Sequence, residues 1–312
     1  MVIDQSIHII EEITKAFTGK EEIIKKCLMA IYAKGHILME DVPGVGKTTL
    51  ALAFSKAIGL DYKRIQFTID TLPSDIIGFT MFNQQTNVWE YREGAANCNF
   101  LLADEINRTS PKTQAALLEV MEEKTITVDG ITHKIPEPFC CIATQNPFGT
   151  AGTNALPESQ LDRFMICLSI GYPDKKSQMD IIRARKEINP LETIQKVATK
   201  ESILELQQYL TTIYLSDEIL SYIVDLCEAT RNHPMVALGV SPRGVLALCQ
   251  MSRAHAIISE RNYVTPEDVQ DVFIDVCAHR LVLHTQAKIE SVSKVDVLYD
   301  ILSQIKPEYK MR

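Results

Sequence analysis

Asp41-Val42-Pro43-Gly44-Val45-Gly46-Lys47-Thr48-Thr49 follows a short apolar run, His36-Ile37-Leu38-Met39-Glu40, and opens a helical pattern that continues to about Ile58. A glycine-rich turn between a strand and a helix aims backbone N–H groups inward, and with the helix N-terminus they cradle phosphate oxygens. In that setting Lys47 bridges the β- and γ-phosphates of a nucleoside triphosphate and the Thr48 hydroxyl holds Mg²⁺. Pro43, Gly44, Val45, Gly46 and Thr49 complete the wrap around the phosphates, so the stretch predicts ATP and Mg²⁺ as ligands. One position departs from the pattern G-x-x-x-x-G-K-[ST]: its first glycine is Asp41.

Four further apolar runs follow: Arg64-Ile65-Gln66-Phe67, Asn99-Phe100-Leu101-Leu102-Ala103-Asp104, Phe139-Cys140-Cys141-Ile142-Ala143-Thr144, and Phe164 to Ile170. Short, continuously apolar strands with helical segments between them predict a parallel sheet covered on both faces, an α/β architecture. Phe79 to Tyr91 alternates apolar and polar residues around Gln85-Thr86-Asn87 and predicts an inserted hairpin. Thr125 to Ile135 predicts another, turning at Asp129-Gly130. Residues 3–33 carry two amphipathic helical patterns interrupted at Thr18-Gly19-Lys20. After Gly171-Tyr172-Pro173 helical signals take over, with N-terminal caps at Ser216, Ser241 and Thr265 and a last helix from about Val292 to Ile305. The expected organisation is an α/β domain over 1–190 and a helical domain over 191–312.

The 312 residues are 46% hydrophobic and 23% charged, ordinary values for a chain with a sizeable core. A formal net charge of −8 argues against nucleic acid or an anionic membrane as the main partner. No apolar run approaches a membrane span, and the N-terminus lacks a signal-peptide pattern. The 8 cysteines show no C-x-x-C spacing and read as small reduced core residues. These features predict a cytoplasmic protein.

Asp104-Glu105 ends an apolar strand where the carboxyl edge of the sheet meets the phosphate loop. There Asp104 would orient Mg²⁺ through a bound water, and Glu105 would polarise the attacking water as general base. Asn146 follows the next strand in Ala143-Thr144-Gln145-Asn146-Pro147, within reach of a γ-phosphate, although an Asn before Pro also simply starts a turn. Arg163 precedes the fifth strand and Arg243 opens a helix. An arginine at a helix N-terminus opposes the helix dipole yet suits a phosphate; taken singly, each also reads as half of a surface ion pair.

Taken together, Glu40 to Thr49, Arg64 to Thr68 with Leu72 to Asp75, Leu101 to Arg108 with Pro111 to Gln114 and Leu117 to Glu119, Ala143 to Pro147, Pro157 to Phe164, Gly171 to Pro173 and Ser241 to Arg243 resemble the MoxR family of AAA+ ATPases. The resemblance spans about Phe17 to His284. It implies a P-loop αβα core with a five-stranded parallel sheet, a helix-2 insert hairpin at Phe79 to Tyr91, a hairpin before sensor 1 at Thr125 to Ile135, and a C-terminal all-helical lid. By family role Asn146 would be sensor 1, Arg163 the arginine finger and Arg243 sensor 2, whose grip on ATP would tie lid angle to nucleotide state. It further implies an ATP hydrolase assembled as a hexameric ring with nucleotide between subunits. Its action would be chaperone-like maturation of other complexes, often with a partner bearing a von Willebrand factor A domain. The same motifs also suit the ATPase subunit of a metal chelatase or a nucleotide-gated scaffold with incidental turnover. A nucleic-acid motor is disfavoured by the acidic balance.

Overall fold

The computed structural model describes residues 2–42, 44–146, 154–184 and 189–307. Two helices, α1 (Val2–Thr14) and α2 (Glu21–Tyr32), precede strand β1 (Ile37–Glu40), and the phosphate loop leads into α3 (Lys47–Ile58). Then come β2 (Tyr62–Gln66), α4 (Pro73–Ile77), the hairpin of β3 (Phe79–Asn83) and β4 (Val88–Arg92), and β5 (Phe100–Asp104). Helix α5 (Pro111–Glu123), the hairpin of β6 (Thr125–Val128) and β7 (Ile131–Lys134), β8 (Cys140–Gln145), α6 (Glu158–Leu161), β9 (Ile166–Leu168) and α7 (Lys175–Ala184) complete the α/β part. The remainder holds α8 (Lys200–Tyr209), α9 (Asp217–Asn232), β10 (Val236–Leu238), α10 (Pro242–Ile258), α11 (Pro266–Cys277), β11 (Val282–Leu283), α12 (Thr285–Ile289) and α13 (Lys294–Gln304).

The five apolar runs form one parallel sheet in the order β2-β5-β8-β1-β9. Their alternate residues feed two apolar clusters, as a period of two requires. Ile37, Met39, Phe100, Leu102, Ile142 and Ile166 face one; Leu38, Leu101, Ala103, Cys141 and Ala143 face the other, under α5. Burial on both faces is why β1, β5 and β8 read as unbroken apolar runs, whereas β2, at the edge of the sheet, is only partly buried and mixes in Lys63, Arg64 and Gln66. The fifth is shorter than its apolar run, because Ile170 and Gly171 leave the ladder and donate their N–H groups to the Asp41 carboxylate instead. Both hairpins stand outside this sheet as separate antiparallel pairs, the second turning with positive φ at Asp129 and Gly130.

Ser216 and Ser241 cap α9 and α10 by accepting the N–H of Ile219 and Gly244. At α11 Thr265 and Asp268 form a reciprocal capping box. Among the helices, β10 and β11 add a two-stranded antiparallel pair too short to carry a periodic signal. The first apolar cluster does not stop at the end of the α/β part. It runs from α1, α2 and α3 into α8 to α11, so the N-terminal helices and the C-terminal ones share one core. Lys26 pairs with Asp275 at 2.5 Å, and Gln207 Nε2 donates to the Ile31 carbonyl at 2.8 Å across the same junction. Among the described residues no helix is long and apolar enough to cross a membrane.

Candidate functional site

The turn after β1 brings Gly44 and Gly46 into positive φ, 89° and 99°, a backbone state that glycine adopts without steric cost. A side-chain carbon on Gly46 would meet the Phe17 ring at 3.0 Å, so Phe17 packs directly on the loop. Lys47 begins α3, and its Nζ donates to the Asp41 carbonyl at 3.0 Å. Burial pulls the Lys47 ammonium below its usual pKa, and the nearby Asp41, Asp104 and Glu105 charges oppose that shift. The loop borders a cavity of about 690 Å³ whose wall includes Phe17, Gly44, Gly46, Ile170, Gly171 and Leu191. Pro43 lies outside the described residues.

Parallel pairing carries the ends of β5 and β8 to the same edge of the sheet as the loop. Asp104 there accepts from the Thr144 hydroxyl at 2.6 Å and pairs with Arg64 at 2.7 Å. Glu105 sits at φ 58°, a conformation rarely adopted by residues other than glycine, with its N–H donating to Thr144 Oγ1 at 2.9 Å and its carboxylate paired with Arg108 at 2.8 Å. Thr144 thus fixes both acids relative to each other. Asn146 is one residue past β8 on this edge, and its carbonyl accepts from Asn107 Nδ2 at 3.4 Å.

Arg163 and Arg243 are not there. Arg163 lies just before β9, beside Lys34, Gly35 and His36 at the start of β1, and Arg243 lines the same cavity of about 260 Å³. The length of β1, roughly 13 Å, therefore separates this edge from the phosphate loop. Arg163 pairs with Glu122 Oε2 at 2.7 Å and donates to the Leu118 carbonyl at 3.0 Å; Arg243 pairs with Glu122 Oε1. Arg243, expected as sensor 2, thus lies at the edge of the sheet away from the phosphate loop of its own chain. The cause is the packing of α10 on α2, which together with the Ser241–Asp162 hydrogen bond of 2.7 Å sets the start of α10 beside the entry to β9.

Several contributors escaped the sequence reading. Thr144, Arg64 and Glu122 act across elements, Arg108 reaches back three residues to Glu105, and only the buried end of an apolar strand marks Thr144 in the sequence. Arg280 is 5% exposed and carries no local signal. Its guanidinium pairs with Asp162 at 2.8 Å and donates to the Phe164 carbonyl at 2.6 Å, holding the segment that carries Arg163.

The ATPase family associated with various cellular activities (AAA) matches residues 36–166, and an AAA lid domain matches residues 228–301. Chaperone MoxR1 of Mycobacterium tuberculosis is 36% identical over 94% of this chain and 80% of its own length. YeaC of Bacillus subtilis, an uncharacterized protein, is 46% identical over 95% of this chain and 93% of its own. A crystal structure from Cytophaga hutchinsonii, of a chain provisionally assigned as an ATPase, superposes with a TM-score of 0.92 at 35% identity, covering 99% of this chain and 96% of that one.

Proposed function

The chain belongs to the MoxR family of AAA+ ATPases and is an ATP hydrolase, and from that premise we propose that it works as a head-to-tail ring whose active sites lie between subunits. One observation carries this reading. The loop with Lys47, Thr48, Asp104, Glu105 and Asn146 occupies one edge of the sheet, and the Arg163–Arg243 pair occupies the opposite edge. Two unlike halves of a site on one chain can meet only in a heterologous contact between copies, which closes into a ring or runs on as a filament. A closed hexamer is our reading.

In such a site the backbone from Gly44 to Thr49, with Pro43, wraps the phosphates and Lys47 neutralises them. Mg²⁺, when bound, offsets charge on the β- and γ-phosphates; the Thr48 hydroxyl and the Asp104 carboxylate are hard oxygen donors suited to it. Glu105 takes the proton of the attacking water, which requires its carboxylate to leave Arg108. Asn146 orients that water. Arg163 and Arg243 of the neighbour stabilise the charge that spreads over the γ-phosphoryl group in the transition state. Residues 1–190 form the nucleotide-binding core and 191–312 the lid, and their shared apolar junction suits transmission of nucleotide state to a client. A chaperone-like action fits the name that Chaperone MoxR1 carries; protein complexes as clients, the cytoplasm as its place and a protein with a von Willebrand factor A domain as its aid are further parts of the proposal.

Mixed assemblies test the reading. Arg163→Ala chains and Lys47→Ala chains, each inactive alone, are expected to recover ATP turnover when combined, because some interfaces then pair an intact loop with an intact arginine. No recovery at any mixing ratio removes the shared site.

A further inference from the structure

The Asp41 carboxylate is 5% exposed and accepts three hydrogen bonds, all from the segment after β9: Ser169 Oγ at 3.1 Å, the Ile170 N–H at 2.5 Å and the Gly171 N–H at 3.0 Å. Its own carbonyl accepts from Lys47 Nζ. The residue that departs from the glycine of the phosphate-loop pattern therefore does not face the phosphates. It faces sideways, across from β1 to the end of its neighbour β9.

Ile170 and Gly171 also form part of the wall of the 690 Å³ cavity beside the loop. Gly44, Val45, Gly46 and Thr49 line the same cavity from the loop side. Asp41 is thus the tie between two parts of one binding surface, the loop that takes phosphates and the wall that takes the rest of the nucleotide. A carboxylate that accepts two backbone N–H groups and a hydroxyl is strongly held, because charge-assisted bonds in a water-poor setting outweigh neutral ones. A glycine at this position would leave those two N–H groups without that acceptor, at the cost of burying unmet donors.

We propose that Asp41 is a positioning residue for ATP, fixing the phosphate loop and the Ile170–Gly171 wall at one spacing so that a nucleotide meets both without rearrangement. Preorganisation of this kind is worth affinity because the ordering is completed before the ligand arrives. It matters only for a ligand that touches both parts. Inorganic triphosphate touches the loop alone; ATP spans loop and wall. The inference rests on the nucleotide lying along the loop and cavity as proposed above.

Binding of ATP in the presence of Mg²⁺ and of inorganic triphosphate is to be compared for the full chain, Asp41→Asn and Ser169→Ala. Asp41→Asn turns part of the acceptor into a donor facing two N–H groups; Ser169→Ala removes one bond and leaves the carboxylate in place. The expected result is a Kd for ATP raised by about tenfold in the first and about threefold in the second, with triphosphate affinity unchanged within about twofold. Equal weakening of both ligands, or no weakening of either, overturns the proposal. Should Asp41→Asn fail to fold, Ser169→Ala decides by the same criterion. Lys47→Ala serves as control: triphosphate binding that survives it means the loop does not take phosphate, and then the site reading fails, separately from the tie.

Discussion

Glu105 combines two unusual conditions in one residue, a left-handed backbone and a carboxylate held by Arg108. A loop that only needed to turn would more readily place glycine at φ 58°, so the acid is kept there against a steric cost of order 1 kcal/mol. If Glu105 is the base, Glu105→Gln keeps nucleotide binding while turnover falls by about a hundredfold or more. Wild-type turnover in that variant, measured at saturating ATP, would exclude Glu105 from the role. Asp268 offers a separate test in the helical part. Burial alone would raise its pKa, but hydrogen bonds from His255, Arg261 and the Thr265 N–H hold it down at about 2. A carboxyl depressed from about 3.9 contributes stability above that pH and loses it as pH falls toward 2. Asp268→Asn is therefore expected to lower Tm clearly at pH 7, by about 2 kcal/mol of stability, with the gap to wild type narrowing as pH falls from 4 to 2. A constant gap across that range means that packing and not charge sets its contribution.

At the scale of elements, the phosphate loop, the five strands and both hairpins were legible because their signals are local. A loop motif, an apolar run or an Asp-Gly turn is complete within a dozen residues. The helix starts at Ser216, Ser241 and Thr265 were legible for the same reason. The side of the sheet to which Arg243 goes was not, since it depends on how α10 packs against α2 more than two hundred positions earlier in the chain. Nor was the tie from Asp41 to Ser169, which exists only because β1 and β9 are neighbours. Ser241 joins the two scales. Its hydroxyl accepts the Gly244 N–H at the start of α10 and donates to Asp162 at 2.7 Å. Ser241→Ala should cost about 1 kcal/mol as a lost cap and lower turnover beyond what the stability loss explains, because the start of α10 carries Arg243. A Tm shift with unchanged turnover would confine Ser241 to capping.

For the whole molecule, the proposed division of the site between two edges would make turnover a property of the assembly. ATPase activity per chain is expected to rise with protein concentration until assembly is complete, and the rise should coincide with the change in mass seen by light scattering. Activity per chain that stays constant down to the monomer would argue that one chain holds a complete site. The shared core of α1 and α2 with α8 to α11 bears on the same point, since it packs the helical part and the N-terminal helices into one body.

Glu122 holds Arg163 and Arg243 together, one oxygen for each. In an isolated subunit it serves as their resident counter-ion, so one of the two positive charges is already offset before any neighbour arrives. Docking of the proposed kind then becomes an ion exchange, a carboxylate yielding its cations to a phosphate. On that reading a subunit without a neighbour would keep this edge partly guarded against stray polyanions, and a neighbour loaded with a triphosphate would bring a competitor of higher charge. Selectivity for the loaded neighbour would thus reside in an acidic residue that never touches the nucleotide.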